Sequence, residues 1–333
     1  MLRYLLSACA LLVVACGGGS ESPSGEGPAA SATAPPGATL RGVTLSPRSF
    51  VEPDFSAFFD QAKQAGEVVG WYGDWAQLAD PKAAPAVVAE LAKRYDYEPL
   101  FIANVFRASD GALNRPLDAA NLAMYKQAAA DFAKKYRPAY MGFGNEINVL
   151  YEKAPAAFET FVALFAETYD AVKAASPETK VFTVFQLERM KGLQGGLFGG
   201  RNDAALAQWQ LVGRFAKADL IAFTTYPGIV FKDPAELPAD YYAELSSRVG
   251  KPVAFTEVGW PSQMGVAGWE TSEAEQAAFV ARFLELSAAA KPALSIWAFL
   301  YDPASFGDPF RGIGLMRADG SPRPSFEAWR ATR

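Results

Sequence analysis

Eight short apolar runs, each rich in β-forming residues, recur between residues 40 and 301: LRGVTLS, EVVGWY, EPLFIANVF, AYMGFGNE, VFTVFQ, LIAFTTYP, PVAFTE and LSIWAFLY. Stretches with apolar residues at helical spacing separate them, such as LDAANLAMYKQAAADFAKKYR (117–137) and SEAEQAAFVARFLELSAAA (272–290). The second opens with Ser272 and Glu275 at capping-box spacing. Runs that stay apolar throughout belong to a sheet covered on both faces, and their alternation with helices makes that sheet parallel. Eight such units within residues 40–333 predict a single closed (β/α)8 TIM barrel. An open doubly wound sheet would use the same elements, but no G-x-G-x-x-G follows the first run.

What precedes the barrel reads as an address. MLRYLLSACALLVVAC carries Arg3, then an apolar stretch too short to span a bilayer, the pattern of a secretory signal. Its end, VVAC, resembles the lipobox of bacterial lipoproteins. The expected organisation is a lipoprotein signal peptide over 1–15, a lipidated Cys16 with a disordered linker over 16–39, and the catalytic domain over 40–333. An ordinary signal peptide with an incidental cysteine is the alternative. The linker, GGGSESPSGEGPAASATAPPGAT, is almost entirely Gly, Ser, Pro, Ala and Thr and cannot build a core. A lipid on Cys16 would tether the protein to a membrane of the bacterial cell envelope, on its periplasmic or outer face.

Composition then removes whole classes of chemistry. The chain has no histidine, so Ser-His-Asp and Cys-His nucleophile systems and His-based metal sites are excluded. Its two cysteines, Cys9 and Cys16, both fall before residue 40, leaving the barrel no disulfide and no thiolate site. A net charge of −5 with no Lys/Arg-rich run speaks against nucleic acid. No cofactor is implied, and the expected state is a monomer. Acid–base work must therefore come from carboxylates, with Tyr or Lys as lesser candidates.

In such a barrel functional groups sit where strands end. The fourth run ends GFGNE, with Asn145 and Glu146; the sixth ends TTYP, with Tyr226; the seventh ends in Glu257; the eighth carries Trp297, Tyr301 and Asp302. Glu146 and Glu257 would converge across the barrel mouth, and paired carboxylates without metal ligands suit glycosidic bond cleavage. One must hold a proton for the leaving oxygen and the other must be ionised to attack, a split that burial and mutual repulsion can create. Taken singly, a strand-end glutamate is as readily a partner for arginine or a helix cap. Asn145 suits a donor to a sugar 2-hydroxyl, a contact that strengthens in the transition state, and Tyr226 suits a hydrogen bond to the ionised Glu257.

The motifs GFGNE, TTYP, FTEVGWPS and WAFLYD resemble the strand-end motifs of clan A glycoside hydrolases, which are retaining (β/α)8 enzymes. The resemblance implies that Glu146 is the acid/base, Glu257 the nucleophile, Tyr226 its partner, and Trp297 the aromatic floor of the subsite at the cleavage point. Within the clan, VAFTEVGWPS is most similar to the nucleophile signature of family 17, the β-1,3-glucanases and glucanosyltransferases. Many clan members place an arginine at the end of strand two, where this chain has WYGDW; either Arg107 substitutes or the subsite is built differently.

Sugar clefts combine flat aromatics with fixed polar groups. Trp71, Tyr72, Asp74 and Trp75 cluster at the end of the second run, Phe106, Arg107 and Asp110 at the end of the third, and Trp297 and Tyr301 in the eighth. Each tryptophan is also a candidate core residue. In TEVGWPS, Gly259 is expected to let the chain turn sharply, with Trp260 either forming cleft wall or packing beneath the loop. The Gly-rich segment 189–203 would form another wall. The expected partner is a polysaccharide or oligosaccharide. The functions these residues allow are retaining hydrolysis of a β-glucan or related polysaccharide, transglycosylation by the same residues, or glycan binding by a surface lipoprotein without catalysis.

Overall fold

The computed structural model describes residues 39–303 and 306–331. The signal, Cys16 and the linker lie outside the described residues. The strands are β1 (Leu40–Thr44), β2 (Val68–Asp74), β3 (Glu98–Asn104), β4 (Tyr140–Phe143), β5 (Lys180–Gln186), β6 (Leu220–Thr225), β7 (Val253–Val258) and β8 (Leu294–Trp297). All eight pair in parallel with their sequence neighbours, and β8 returns to β1 to close the barrel. Closure leaves no edge strand to protect.

Strand periodicity divides the core into two layers. Val68, Tyr72, Leu100, Ile102, Phe182, Val184, Leu220, Ala222, Ala254, Leu294 and Ile296 fill the barrel interior. The intervening residues, such as Phe101, Phe143, Phe185 and Phe255, join the layer between barrel and helices. That layer is mostly ring against ring: Phe283 meets Tyr242 and Phe255 edge-on at 5.3 and 5.2 Å. Burying a side chain of this size contributes about 1.5–3 kcal/mol, and Phe283→Ala should cost about 3–5 kcal/mol because the cavity also remains.

The helices are α1 (Asp54–Ala65), α2 (Ala84–Tyr95), α3 (Ala119–Tyr136), α4 (Ile147–Lys153), α5 (Pro155–Ala175), α6 (Leu187–Met190), α7 (Leu245–Val249), α8 (Glu273–Ser287) and α9 (Pro324–Ala331). Asp118 caps α3 by accepting from the Asn121 amide at 2.9 Å. Ser272 caps α8 by accepting from the Glu275 amide at 3.2 Å, as the capping-box spacing predicts. The expected eight-fold repeat is uneven, however. Between β5 and β6 the long helix is replaced by α6 and three 3₁₀ turns, and between β6 and β7 by 3₁₀ turns and the five-residue α7. Gly192, Gly196 and Gly199 take positive φ in the first segment, and Pro227, Pro234 and Pro238 interrupt the second. One residue of each, Leu197 and Ile229, packs in the cluster that contains Tyr226. No helix among the described residues is long and apolar enough to cross a membrane.

Candidate active site

The end of β4 is shaped for what it carries. Gly144 has φ 76°, and a Cβ there would meet Ile147 Cγ2 at 2.5 Å, so a side chain is excluded twice over. Asn145 follows, its amide donating to Asn104 Oδ1 at 2.9 Å, and Glu146 opens α4 in the left-handed region at φ 55°. A glutamate held there is strained, and such strain persists where surrounding contacts dictate it. The Thr224 hydroxyl donates to Glu146 Oε1 at 2.7 Å from the end of β6.

Glu257 owes its aim to a bulge. Phe223 pairs with Phe255, but Thr224 pairs with Glu257, so Thr256 is an extra residue on β7, and the β7–β8 register shifts at the same place. A bulge beside a site redirects the side chain that follows it. The Tyr72 hydroxyl, rising through the barrel interior, donates to the Thr256 carbonyl and holds the bulge. Glu257 then receives two donors: Asn145 Nδ2 to Oε1 at 2.9 Å, and the Tyr226 hydroxyl to Oε2. Gly259 serves by its size and not by a left-handed turn. A Cβ there would lie 2.9 Å from the Tyr226 ring and 2.6 Å from Ile313, so glycine leaves room for the phenol that reaches Glu257.

The two carboxyls are 5% and 6% exposed, at the floor of the mouth. Burial, followed by the charge of Glu257, pushes Glu146 up to about 8, with Thr224 and the Arg189 charge pulling the other way. Burial pushes Glu257 up to about 7 against the Tyr226 and Asn145 hydrogen bonds. The two titrate as a pair. Glu257 has two donors that favour its ionised form and Glu146 has one, so the first proton leaves Glu257 and the remaining one stays on Glu146. Of the two, Glu257 ionises first and Glu146 keeps its proton to higher pH. Asn145 Oδ1 is buried with no donor among the described residues.

The structure brings together Asn145, Glu146, Tyr226 and Glu257, but not the tryptophans expected beside them. Trp297 is fully buried outside the barrel, against Phe279 and Trp329, with its Nε1 donating to the Ile313 carbonyl at 2.8 Å. Trp71 is 2% exposed and lies on Phe101 in the same outer layer. Strand parity explains both: Ile296 and Tyr72 point inward, so their neighbours Trp297 and Trp71 point out. Trp260 packs beneath its loop, stacked on Phe279 at 5.1 Å. Tyr301 is buried under the Arg48 guanidinium, 6.0 Å from its ring.

The polar rim also differs from expectation. Arg107 is exposed and pairs with Asp110 at 2.7 Å. Arg115, later in the same loop, reaches Asp74 at 2.5 and 2.6 Å and lies 5.4 Å over the Trp75 ring. A further aromatic and apolar group surrounds Tyr226. Phe299 and Phe310 gather with Tyr226, Leu197 and Ile229, flanked by the half-buried Phe198, Trp269 and Phe306. Phe310 meets the Tyr226 ring edge-on at 5.2 Å. Continuing the β8 parity past Trp297 would turn Phe299 outward with it, so its place beside Tyr226 was not legible in the strand pattern, and the others come from separate loops.

No protein-family model and no curated protein matches the chain. Solved structures do. A family 39 glycoside hydrolase from Bacteroides cellulosilyticus WH2 aligns with TM-score 0.60 at 19% identity, over 87% of this chain and 62% of that one. An exo-β-1,4-mannosidase from Opitutaceae bacterium strain TAV5 gives 0.62 at 14% identity, over 88% and 59%. A GH5_18 protein from Bifidobacterium longum subsp. longum, in complex with Manβ1-4GlcNAc, gives 0.63 at 14% identity, over 89% and 78%. The chain therefore spans about three fifths of the first two. At these identities the likeness establishes a shared fold: a closed parallel (β/α)8 barrel of the kind these glycoside hydrolases use.

Proposed function

We propose that the protein is a retaining glycoside hydrolase that cleaves a β-linked glucan or related polysaccharide by double displacement. The observation that carries this reading is the unequal support of two buried carboxyls on facing strand ends: Asn145 and Tyr226 on Glu257, Thr224 alone on Glu146. Glu146 gives its proton to the glycosidic oxygen as the Glu257 carboxylate attacks the anomeric carbon. The bond to the leaving sugar breaks and a glycosyl ester of Glu257 forms. Glu146, now ionised, takes a proton from water; that water attacks the anomeric carbon and frees Glu257. Asn145 Nδ2, the expected donor to a sugar hydroxyl, instead donates to Glu257 Oε1, so the residue serves the attacking carboxylate. The strand-seven motif favours a β-1,3-glucan within this class.

A second reading, transglycosylation, is favoured by the apolar group around Phe299, Phe310 and Trp269. An apolar wall beside the ester disfavours water relative to a sugar acceptor that stacks on it. The further part of the proposal is an anchor: lipid on Cys16 holding the enzyme in the bacterial cell envelope. Retention of detergent-phase partitioning by Cys16→Ala would contradict it.

The test presents the soluble barrel with β-1,3-, β-1,4- and mixed-linkage glucans, galactan and mannan. Release of reducing ends from one of them, abolished in Glu257→Gln, supports hydrolysis. Products longer than the starting oligosaccharide support transfer. Tight binding without turnover would leave a glycan-binding protein.

A further inference from the structure

A third carboxylate is buried beside the site, and the double displacement makes no use of it. Glu188, in α6 just past the end of β5, is fully inaccessible to solvent. Its Oε2 accepts from Gln186 Nε2 at 2.6 Å. Its Oε1 accepts from the Thr225 hydroxyl at 2.9 Å, the Tyr226 amide at 3.2 Å and the Tyr241 hydroxyl at 3.0 Å. A carboxylate this deep is expensive, and an apolar side chain of similar volume would pack the position at least as well. Its donors show what it gives in return. Two of them belong to consecutive residues at the end of β6, and the second is Tyr226, whose phenol donates to Glu257.

We propose that Glu188 is a positioning residue of the active site: it ties the end of β6 to the end of β5 and so holds the Tyr226 hydroxyl on Glu257. The Tyr226 phenol is long, and a small rotation of its backbone moves the hydroxyl out of reach of Oε2. The segment that carries it has φ −133° and ψ 64° and leads directly into a 3₁₀ turn, so β6 pairing alone does not fix it. The Glu188 Oε1 contact to the Tyr226 amide closes that freedom. The proposal rests on reading Glu257 as the nucleophile.

The charges around Glu188 set the sign of the test. From its own element comes Arg189, paired with Glu152, and next to it Lys191, paired with Glu244. From the 241–242 segment come Tyr241 and Tyr242, and across the mouth stands Glu146, whose proton affinity the Glu188 charge raises. Removing the Glu188 charge by itself lowers the proton affinity of a neighbouring carboxyl. Loss of the Tyr226 hydrogen bond raises that of Glu257. The two routes therefore have opposite signs at Glu257.

The experiment follows ¹³C-carboxyl-labelled glutamates by NMR across pH in the parent, Glu188→Gln, Tyr226→Phe and the double variant, with Glu257→Gln to assign the resonance. The expected result is a rise of the Glu257 midpoint in each single variant and no further rise in the double. Kinetics on the substrate should run in parallel. Glu188→Gln should lower kcat about tenfold with KM within about twofold, and add nothing in the Tyr226→Phe background, because groups acting as one unit are not additive. A Glu257 midpoint that stays or falls in Glu188→Gln, or effects of the two substitutions that multiply, would overturn the proposal, even with a lowered Tm. If Glu257→Gln keeps full activity, the nucleophile reading fails instead, and the titration alone still decides whether Glu188 controls the contact.

Discussion

Glu146 and Glu257 occupy the same floor and are almost equally hidden from water, yet their surroundings differ in number and kind. The strand-four side offers its carboxyl one hydroxyl, from Thr224, and places it in a left-handed conformation at the start of a helix. The strand-seven side offers an amide and a phenol, and reaches them through a bulge pinned by Tyr72. Burial pushes both proton affinities upward, so burial cannot assign roles. Donor count distinguishes them: the carboxyl with two donors ionises first and in the proposed reaction attacks, and the one with a single donor keeps the proton that the proposed reaction delivers.

The sharpest way to break this comparison is to exchange the charge on the strand-seven side. Glu257→Gln keeps the shape and both neighbours but cannot attack, so kcat should fall by about 10⁴-fold or more while circular dichroism stays unchanged. Glu146→Ala should be selective. Cleavage of a substrate with a poor leaving group should fall about 10³-fold, whereas a dinitrophenyl glycoside, which needs no proton, should still form the glycosyl ester at near parental rate. A uniform loss on both substrates would erase the distinction between the two sides.

Two milder changes sharpen it through the pH profile of kcat/KM. Tyr226→Phe removes a donor to ionised Glu257, so its proton affinity rises further and the acid limb should move to higher pH, with a loss of about 10–100-fold at neutrality. Thr224→Val removes the hydroxyl that donates to Glu146, so the alkaline limb should move up, with a loss of a few-fold. Movement of the opposite limb in either variant would reverse the assignment.

The smallest effect concerns stability. Both carboxyls are raised above their unfolded values, so the native state binds protons more tightly. The stability this gives is fully present below the ordinary carboxylate range and is lost as pH rises through about 7 to 8. Glu146→Gln, which removes the buried charge, should therefore raise Tm at pH 8 by about 2–5 °C, and the gain should shrink toward pH 5. A Tm gain that is equal at both pH values would mean that Glu146 is not held protonated by its burial.

Much of this was legible in the sequence because it is local. Eight apolar runs mark eight strands, and Asn145, Glu146, Tyr226 and Glu257 stand at strand ends where a barrel gathers its groups. What escaped depends on relations between strands. The inward or outward direction of Trp71 and Trp297 follows from parity against Tyr72 and Ile296, and so two supposed sugar platforms turned out to be core. The bulge at Thr256 exists only in the register of β7 against β6 and β8. Glu188 sits at the edge of a Gly-rich segment that reads as loop, and its importance appears only when Thr225, Tyr226 and Tyr241 fold onto it. Arg115 was hidden by the nearer Arg107, which spacing made the natural candidate for the rim.

The central claim, that strand four holds the acid/base and strand seven the nucleophile, is tested most directly by azide rescue of the two alanine variants on an activated β-glycoside. The account predicts that azide restores turnover in both. Glu146→Ala should yield the β-glycosyl azide, because azide attacks the ester on Glu257, and Glu257→Ala should yield the α-glycosyl azide by direct displacement. The reverse pairing of variant and anomer would contradict it.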